Sequence, residues 1–491
     1  MIQDTKKWGY IMSQQWDVII IGAGTAGLPA AIFAAERSDK VLVLDAAPEI
    51  GGTLHLSSGQ MSAAGTRLQK AKGIKDTPAL HIEDIMRISN NTADRALAGL
   101  AVDNAADTLD WLETIGFKPL HDHPVKGQAH EPYSVNRYVW GEDLGKSILT
   151  VLKPPFERQL SDGRITLKLD TRVTGLVQDN AGAVKGVVAE KGGSSENYHA
   201  LSVIIAAGGY VANGAMYKEL SGHPAYGDHS YPYCVGDGLR LGLDAGGTAQ
   251  GHENYLTSFG VVMKSYDVPS KVRCRQIHWP ERRMPWEIYV NAHGQRFIRE
   301  DEPSVDVREH TIQKQPDLRH WIIFDSVTLE EAPPLFADFG PQDIKAASEA
   351  GEPMFYVADS IKALAGKSGL PPGALANTVQ TYNEGQSEGS DALGREYMPR
   401  RIIEAPFYAI RSQAMSVSST VGLKVNQDLQ VIREDGSPLA GLYAAGESLG
   451  QGAMMGSSFC GGMLVTPALT FGRLLGQQFL PLGKSGKAAA E

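Results

Sequence analysis

The hydrophobic pattern at the start of the chain is a strand, a helix and a strand in quick succession. Residues 17–21, DVIII, form a short apolar, β-branched run that ends in glycine and predicts a buried strand. Residues 25–37 are dense in Ala and Leu and predict a helix. Its Pro29 falls in the first turn, where a missing N–H costs little. Residues 40–45, KVLVLD, predict a second strand, completing a βαβ unit. Residues 80–116 carry helical periodicity. Residues 163–206 alternate as a small β-meander, with a hairpin at NAGA. From about 245 to 404 the texture changes, and Pro, Arg, Trp and loop-like stretches become common. There YVNAHGQRF predicts strand–turn–strand, HWIIFD a strand and GALANTVQTYNEG a helix. The first texture then returns with GLYAAGESLGQG, a glycine-rich turn and a helix from about Leu464 to Phe479.

This order predicts an α/β fold. A Rossmann-like domain spans 13–244 and 405–483, and an inserted α+β domain spans 245–404. Residues 1–12 and 484–491 are expected to be flexible termini. The 491-residue length suits several domains at ~100–200 residues each.

Composition narrows the function. A net charge of −10 argues against a nucleic-acid surface, although a locally basic pocket for an anion stays compatible with it. The three cysteines, Cys234, Cys274 and Cys460, form no CxxC or CxxCH, which removes a zinc ribbon, a thioredoxin-like couple and c-type haem attachment. Scattered thiols suit a reducing cytoplasm. No apolar run approaches the ~18 residues of a membrane helix, and the N-terminus lacks a signal-peptide core. His121 and His123, in HDHP, have metal-like spacing but no partner cluster, so no metal site is expected.

Gly22-Ala-Gly24-Thr-Ala26-Gly27 is GxGxxG between a strand and a helix. Gly22 permits the tight turn, Gly24 the approach of backbone to a pyrophosphate, and Gly27 close helix–strand packing. The helix start supplies N–H groups and a positive dipole end. Asp45 ends the second strand, where a carboxylate accepts hydrogen bonds from a ribose diol. Glu49-Ile-Gly51-Gly52 and the later Gly441-Leu-Tyr-Ala-Ala-Gly446-Glu447 favour FAD over NAD, with Glu447 as a ligand for ribityl hydroxyls. No second GxGxxG exists, so no built-in NAD(P)H domain is inferred.

These motifs resemble the fumarate reductase/succinate dehydrogenase flavoprotein superfamily, including 3-ketosteroid dehydrogenases. The pieces that carry the resemblance are IGAGTAGLPAAIFAAE, IGGTLHLSSGQMSAAGT, VIIAAGGY, VGDGLRLGLDAGG, VNAHGQRF, GLYAAGE and GGMLVTPALTFGRLLG. The resemblance implies a substrate held between the inserted capping domain and the isoalloxazine. It also implies hydride transfer between the flavin and a carbon next to an activated carbon. Thr53, Ser57, Ser58 and Gly59 are then expected along the flavin, and Val173 near the adenine. Ala207, Gly208 and Gly209 are expected beside the nucleotide, and Gly462, Leu464 and Val465 are expected to offer N–H groups to flavin N1/O2. Ala46 and Asp237 complete the expected cofactor positions. Leu54 stands where membrane members attach flavin through histidine, so non-covalent FAD is expected.

The dicarboxylate-binding groups of fumarate reductases are replaced. Their places fall at Ser258, Ser304, Ser418 or Ser419, and Phe459. A dicarboxylate would lose its paired charges there, a penalty of about several kcal/mol. Ser458-Phe459-Cys460-Gly461 keeps the shape of a steroid-dehydrogenase motif and loses its tyrosine hydroxyl. Arg308, resembling an arginine of tricarballylate dehydrogenase-like members, is the first candidate for proton transfer, followed by His310 and Tyr255. Tyr138, Ser258, Ser419 and Phe459 are candidate substrate contacts, with Arg137 beside them. Arg283 matches a relay arginine of fumarate reductases. The expected activity is desaturation or reduction of a C–C bond beside a carbonyl in a weakly charged, cyclic ketone or enone. Alternatives are a reductase of a mono- or other organic acid, and a flavoprotein subunit of a larger electron-transfer complex. The expected partners are a small-molecule substrate and an external electron donor or acceptor.

Overall fold

The structure is a computed structural model and describes residues 15–127, 130–416 and 418–482. The expected flexible termini, 1–12 and 484–491, lie outside the described residues. The DVIII run becomes the strand Gln15–Ile21, which pairs in parallel with Val41–Leu44 on one side and Ser194–Ile205 on the other. Further parallel strands, Ile165–Lys168 and Pro438–Ala444, extend the sheet outward on each side. Apolar runs such as VLVL, buried throughout, suit a parallel sheet covered on both faces. The meander residues Arg172–Gln178 and Val184–Lys191 form an antiparallel hairpin that joins this sheet through Ser194–Ile205.

The helix Gly27–Ala35 is buried along its whole length, which explains its run of small residues. It packs against the helix Val465–Leu474 with almost no side chain between them. A methyl on Gly472 would meet the carbonyl of Ala26, and one on Gly476 would lie 2.5 Å from the carbonyl of Ala30. The two ends of the described chain are therefore locked together at one helix pair.

A second, antiparallel sheet runs in the order Val272–Arg275, Val261–Met263, Phe407–Gln413, Arg319–Asp325, Ile288–Val290, with Phe355–Ala358 also on Phe407–Gln413. It has its own apolar clusters, around Phe259, Ile322 and Phe355 and around Leu364, Leu375 and Trp321. This sheet reaches past residue 404, because Phe407–Gln413 pairs along its whole length with Arg319–Asp325. At the near boundary, Ala249–Gln250 pairs with Gly422–Leu423, outside the second sheet. Among the described residues no helix is long and apolar enough to cross a membrane.

Candidate active site

A cavity of about 520 Å³ opens between the two sheets. Its first-sheet side is made largely of backbone. Gly22, at φ +106°, leaves the strand Gln15–Ile21 where a side chain would strike the carbonyl of Ala206, and a methyl on Gly27 would strike the carbonyl of Gly22. The helix Gly27–Ala35 starts without a side-chain cap, as does Val465–Leu474, whereas the helices after Thr77, Asp94 and Ser304 are capped by those side chains. The N–H groups of Gly462, Leu464 and Val465 donate to no protein group among the described residues. Two helix starts at one cavity, both without a cap, suit an anionic ligand.

Two carboxylates face the same space. Asp45 accepts the N–H of Ala23 at 2.6 Å and that of Ala47 at 2.8 Å; burial raises its pKa and these bonds oppose the rise. Glu447 accepts the N–H of Ser419 at 2.8 Å, and burial raises its pKa too. Ala26, Ala46, Gly24, Gly52, Thr53, Ser57, Ser58, Val173, Ala207, Gly208, Asp237 and Gly446 line the cavity with them. Gly27, Gly51 and Gly59 stand behind this wall, where a side chain would collide with its neighbours. Uncapped N–H groups, side-chain-free glycines and paired acceptors fit FAD.

The loop that carries Gly462 is held from beneath. The Tyr133 hydroxyl donates to the carbonyl of Gly461 at 2.5 Å, and the Tyr138 ring leaves no space for a side chain on Gly461. Arg137 lies 5.1 Å from the Tyr133 ring centre and pairs with Asp76 at 2.8 Å and Asp84 at 2.7 Å, fully buried. Arg137 and Tyr138 therefore support this loop and do not line the cavity.

The second-sheet side is made of side chains. Three neighbouring strands deliver Arg275, Ser258 and the Met415–Ser416 turn, and Ser258 donates its N–H to the Met415 carbonyl at 2.8 Å. The helix Val305–Gln313, capped by Ser304, presents Glu309 to the cavity. Glu309 is buried, and its pKa is raised well above the ordinary carboxylate value, first by burial and then by Asp306 and Glu131. His130 lies 3.9 Å from Glu309, and its ring centre is 4.0 Å from that of Phe459, with the planes tilted by 31°. Burial lowers His130 to about 4. A carboxyl group whose burial favours the protonated form thus meets an imidazole whose burial favours the neutral form.

Other candidates named from the sequence lie elsewhere. Arg308 precedes Glu309 by one residue and points away from the cavity. It is 1% exposed, and its guanidinium donates to the carbonyls of Glu302 at 2.8 Å and Glu300 at 3.2 Å. His310 is held by the Ser457 carbonyl at 2.8 Å and lies 3.4 Å from Asp306. Tyr255 packs on His223, with ring centres 4.9 Å apart, and does not line the cavity. Ser419 is fully buried and serves Glu447 and the N–H of Tyr210; its neighbour Ser418 lines the cavity instead. Arg283 is paired with Glu287 at 2.8 Å. Ser258 and Phe459 are in the wall as expected. Glu309 and Arg275 are wall residues that no motif marks, whereas His130 begins a segment, through Tyr138, that resembles a family loop near the substrate mouth.

The model of the family described as FAD binding domain matches residues 17–464. The fumarate reductase (cytochrome) of Shewanella frigidimarina is 30% identical over 476 residues, covering 94% of this chain and 76% of that protein. The chain belongs to the fumarate reductase/succinate dehydrogenase flavoprotein superfamily. This flavoprotein also matches the vinyl phenol reductase of Lactiplantibacillus plantarum, at 26% identity over 88% of the chain and 89% of that enzyme. Its fold is that of the 3-ketosteroid Δ1-dehydrogenase from Sterolibacterium denitrificans, solved with 1,4-androstadiene-3,17-dione. That structure gives a TM-score of 0.73 and 20% identity, covering 95% of this chain and 99% of the other. The flavoprotein is an FAD-dependent oxidoreductase of the reductase/dehydrogenase type that acts on C–C bonds.

Proposed function

We propose that the enzyme reduces a carbon–carbon double bond conjugated to a carbonyl, in a weakly charged, cyclic substrate. The observation that carries this reading is Glu309, a buried carboxyl group in the cavity wall, 3.9 Å from His130, whose pKa burial raises well above the ordinary carboxylate value. Bound FAD supplies two-electron hydride chemistry. The chain supplies the matching proton: Glu309 donates to the carbon next to the carbonyl as the hydride arrives at the carbon beyond it. Ionised Glu309 then recovers its proton from solvent, by way of the imidazole beside it. The electrons come from an external donor.

The surroundings of Glu309 suit this substrate. Ser258, Ser418 or Ser419, and Phe459 stand at the places of charged groups in fumarate reductases, and Leu256, Met415 and Met454 add apolar wall. Two relatives named after vinyl phenol and a ketosteroid are consistent with a neutral, ring-bearing body. The cofactor is non-covalent in this reading. Leu54 is buried off the cavity, and His55 is engaged with the Ile50 carbonyl at 2.9 Å. Denaturation should release all the flavin as free FAD.

The test is anaerobic mixing of reduced holoenzyme with 2-cyclohexenone, 4-oxocyclohex-2-enecarboxylate and fumarate. Reoxidation by the enones with formation of the saturated ketone supports the proposal. Rapid reoxidation by fumarate, with neither enone reacting, would sink it.

A further inference from the structure

Arg275 ends the strand Val272–Arg275 at the edge of the second sheet and lines the cavity. Burial lowers its pKa, and no acidic group opposes that shift. Arg308 and Arg411 also lack a carboxylate partner among the described residues, but neither lines the cavity. Arg172, also in the cavity wall, pairs with Asp237. Arg273, two residues earlier on the same strand, pairs with Glu352 at 3.3 Å, and Arg283, Arg296, Arg299 and Arg395 all have carboxylate partners. The chain carries 56 acidic residues against 46 basic ones. Arg275 is exposed at the cavity and has no carboxylate partner among the described residues, so it is free to pair with an anion that enters.

The position of Arg275 decides which anion. Its strand lies next to the one that Ser258 introduces, and Arg275 is directly opposite Val261, which in turn faces Gln413. Arg275 therefore shares the second-sheet wall with Ser258, Met415 and Ser416. The uncapped helix start and the glycines that fit the cofactor pyrophosphate are on the other sheet. His229, also in the wall, has its pKa lowered by burial and then by Arg275, against Asp228. Ser258, Ser418 and Phe459 carry no charge. One guanidinium without a carboxylate partner faces the substrate.

We propose that Arg275 binds a carboxylate on the substrate, which makes the substrate a monoanion: an apolar, carbonyl-bearing body with a single carboxylate away from the reacting bond. The planar guanidinium fork matches a carboxylate in two parallel hydrogen bonds. This rests on the reading that the cavity takes a carbonyl substrate beside FAD. It adds that the substrate's charge is one, not zero and not two.

The experiment is titration of oxidised holoenzyme with 4-oxocyclohexanecarboxylate and with its methyl ester, read from perturbation of the flavin absorbance. Neither probe needs to react, so the outcome is independent of the reduction assay. In the wild type the acid should bind about tenfold tighter than the ester. In Arg275→Gln that preference should vanish with ester affinity unchanged, and Arg275→Lys should restore part of it. Equal binding of acid and ester by the wild type, survival of the preference in Arg275→Gln, or no perturbation by the acid would overturn the proposal. Loss of FAD from Arg275→Gln would overturn it too, because it would assign the guanidinium to the cofactor. A preserved acid preference in an enzyme that reduces no enone would leave Arg275 as proposed and sink the reaction instead.

Discussion

The cavity has two walls made of different material. On the first-sheet side the recognition groups are glycines, uncapped helix starts and two carboxylates, each tied to backbone N–H groups. On the second-sheet side they are side chains brought together from separate segments: Glu309 from a helix, His130 from a distant loop, Arg275 from an edge strand. The first wall holds its shape because backbone cannot move without the sheet moving. The second can change chemistry one side chain at a time. A common cofactor with varied substrates needs this division, since the hydride chemistry stays fixed while the proton donor and the anion partner are exchanged.

Breaking the first wall should have the largest effect. Gly27→Ala drives a methyl into the Gly22 carbonyl, which only a shift of the helix can relieve. We expect a loss of about 3 kcal/mol or more in stability and protein that purifies without flavin, read by thermal melting and by the flavin-to-protein absorbance ratio. Retention of full FAD content would show that this wall is softer than described.

A smaller effect separates the walls by function. Arg308→Ala removes a buried guanidinium that satisfies the carbonyls of Glu300 and Glu302. Stability should drop by about 2 kcal/mol, while the rate at which the reduced flavin is reoxidised by an enone at saturation stays within about twofold. A hundredfold slower reoxidation at unchanged flavin content would return Arg308 to the mechanism.

Tyr133→Phe tests how firmly the first wall is supported. Losing the bond to the Gly461 carbonyl should cost about 1 kcal/mol. If that bond favours the reduced cofactor through the Gly462 loop, the flavin potential falls by about 20 mV. An unchanged potential would confine Tyr133 to packing.

A further effect, spread over several pH units, is on stability against pH. His130, lowered to about 4, stays neutral in the fold while the unfolded chain gains a proton below about 6.5, so stability is lost as pH falls between those values. Glu309 has the opposite sense. Its raised pKa keeps a proton that the unfolded chain gives up, so stability declines as pH rises above the ordinary carboxylate range. Each slope is at most about 1.4 kcal/mol per pH unit. Glu309→Gln should abolish the decline on the rising side, as read by melting temperature across pH.

The first wall was legible in the sequence because its logic is local. GxGxxG, the acid after the second strand and the glycine-rich final turn each act within a few residues of themselves, and Gly22, Asp45 and Glu447 stand together in the cavity. The second wall was legible only in part, at Ser258 and Phe459. Arg308 and Glu309 are adjacent in sequence, yet one residue rotates a helix by about 100°. In VDVREHTIQ the buried face carries Val305 and Ile312 together with both Arg308 and Glu309, so periodicity does not tell which of the two charged residues meets the cavity. His130 and Phe459 meet across more than three hundred residues. The extent of the second sheet was hidden for the same reason. Phe407–Gln413 follows a change in texture, but its partner strand begins at Arg319.

If Glu309 supplies the proton, its removal must show in a single turnover: anaerobic reoxidation of the reduced holoenzyme by 4-oxocyclohex-2-enecarboxylate, in the wild type and in Glu309→Gln. We expect a flavin spectrum and FAD content unchanged by the substitution, with reoxidation slowed about a hundredfold or more. Equal rates in the two proteins, at equal flavin content, would contradict it.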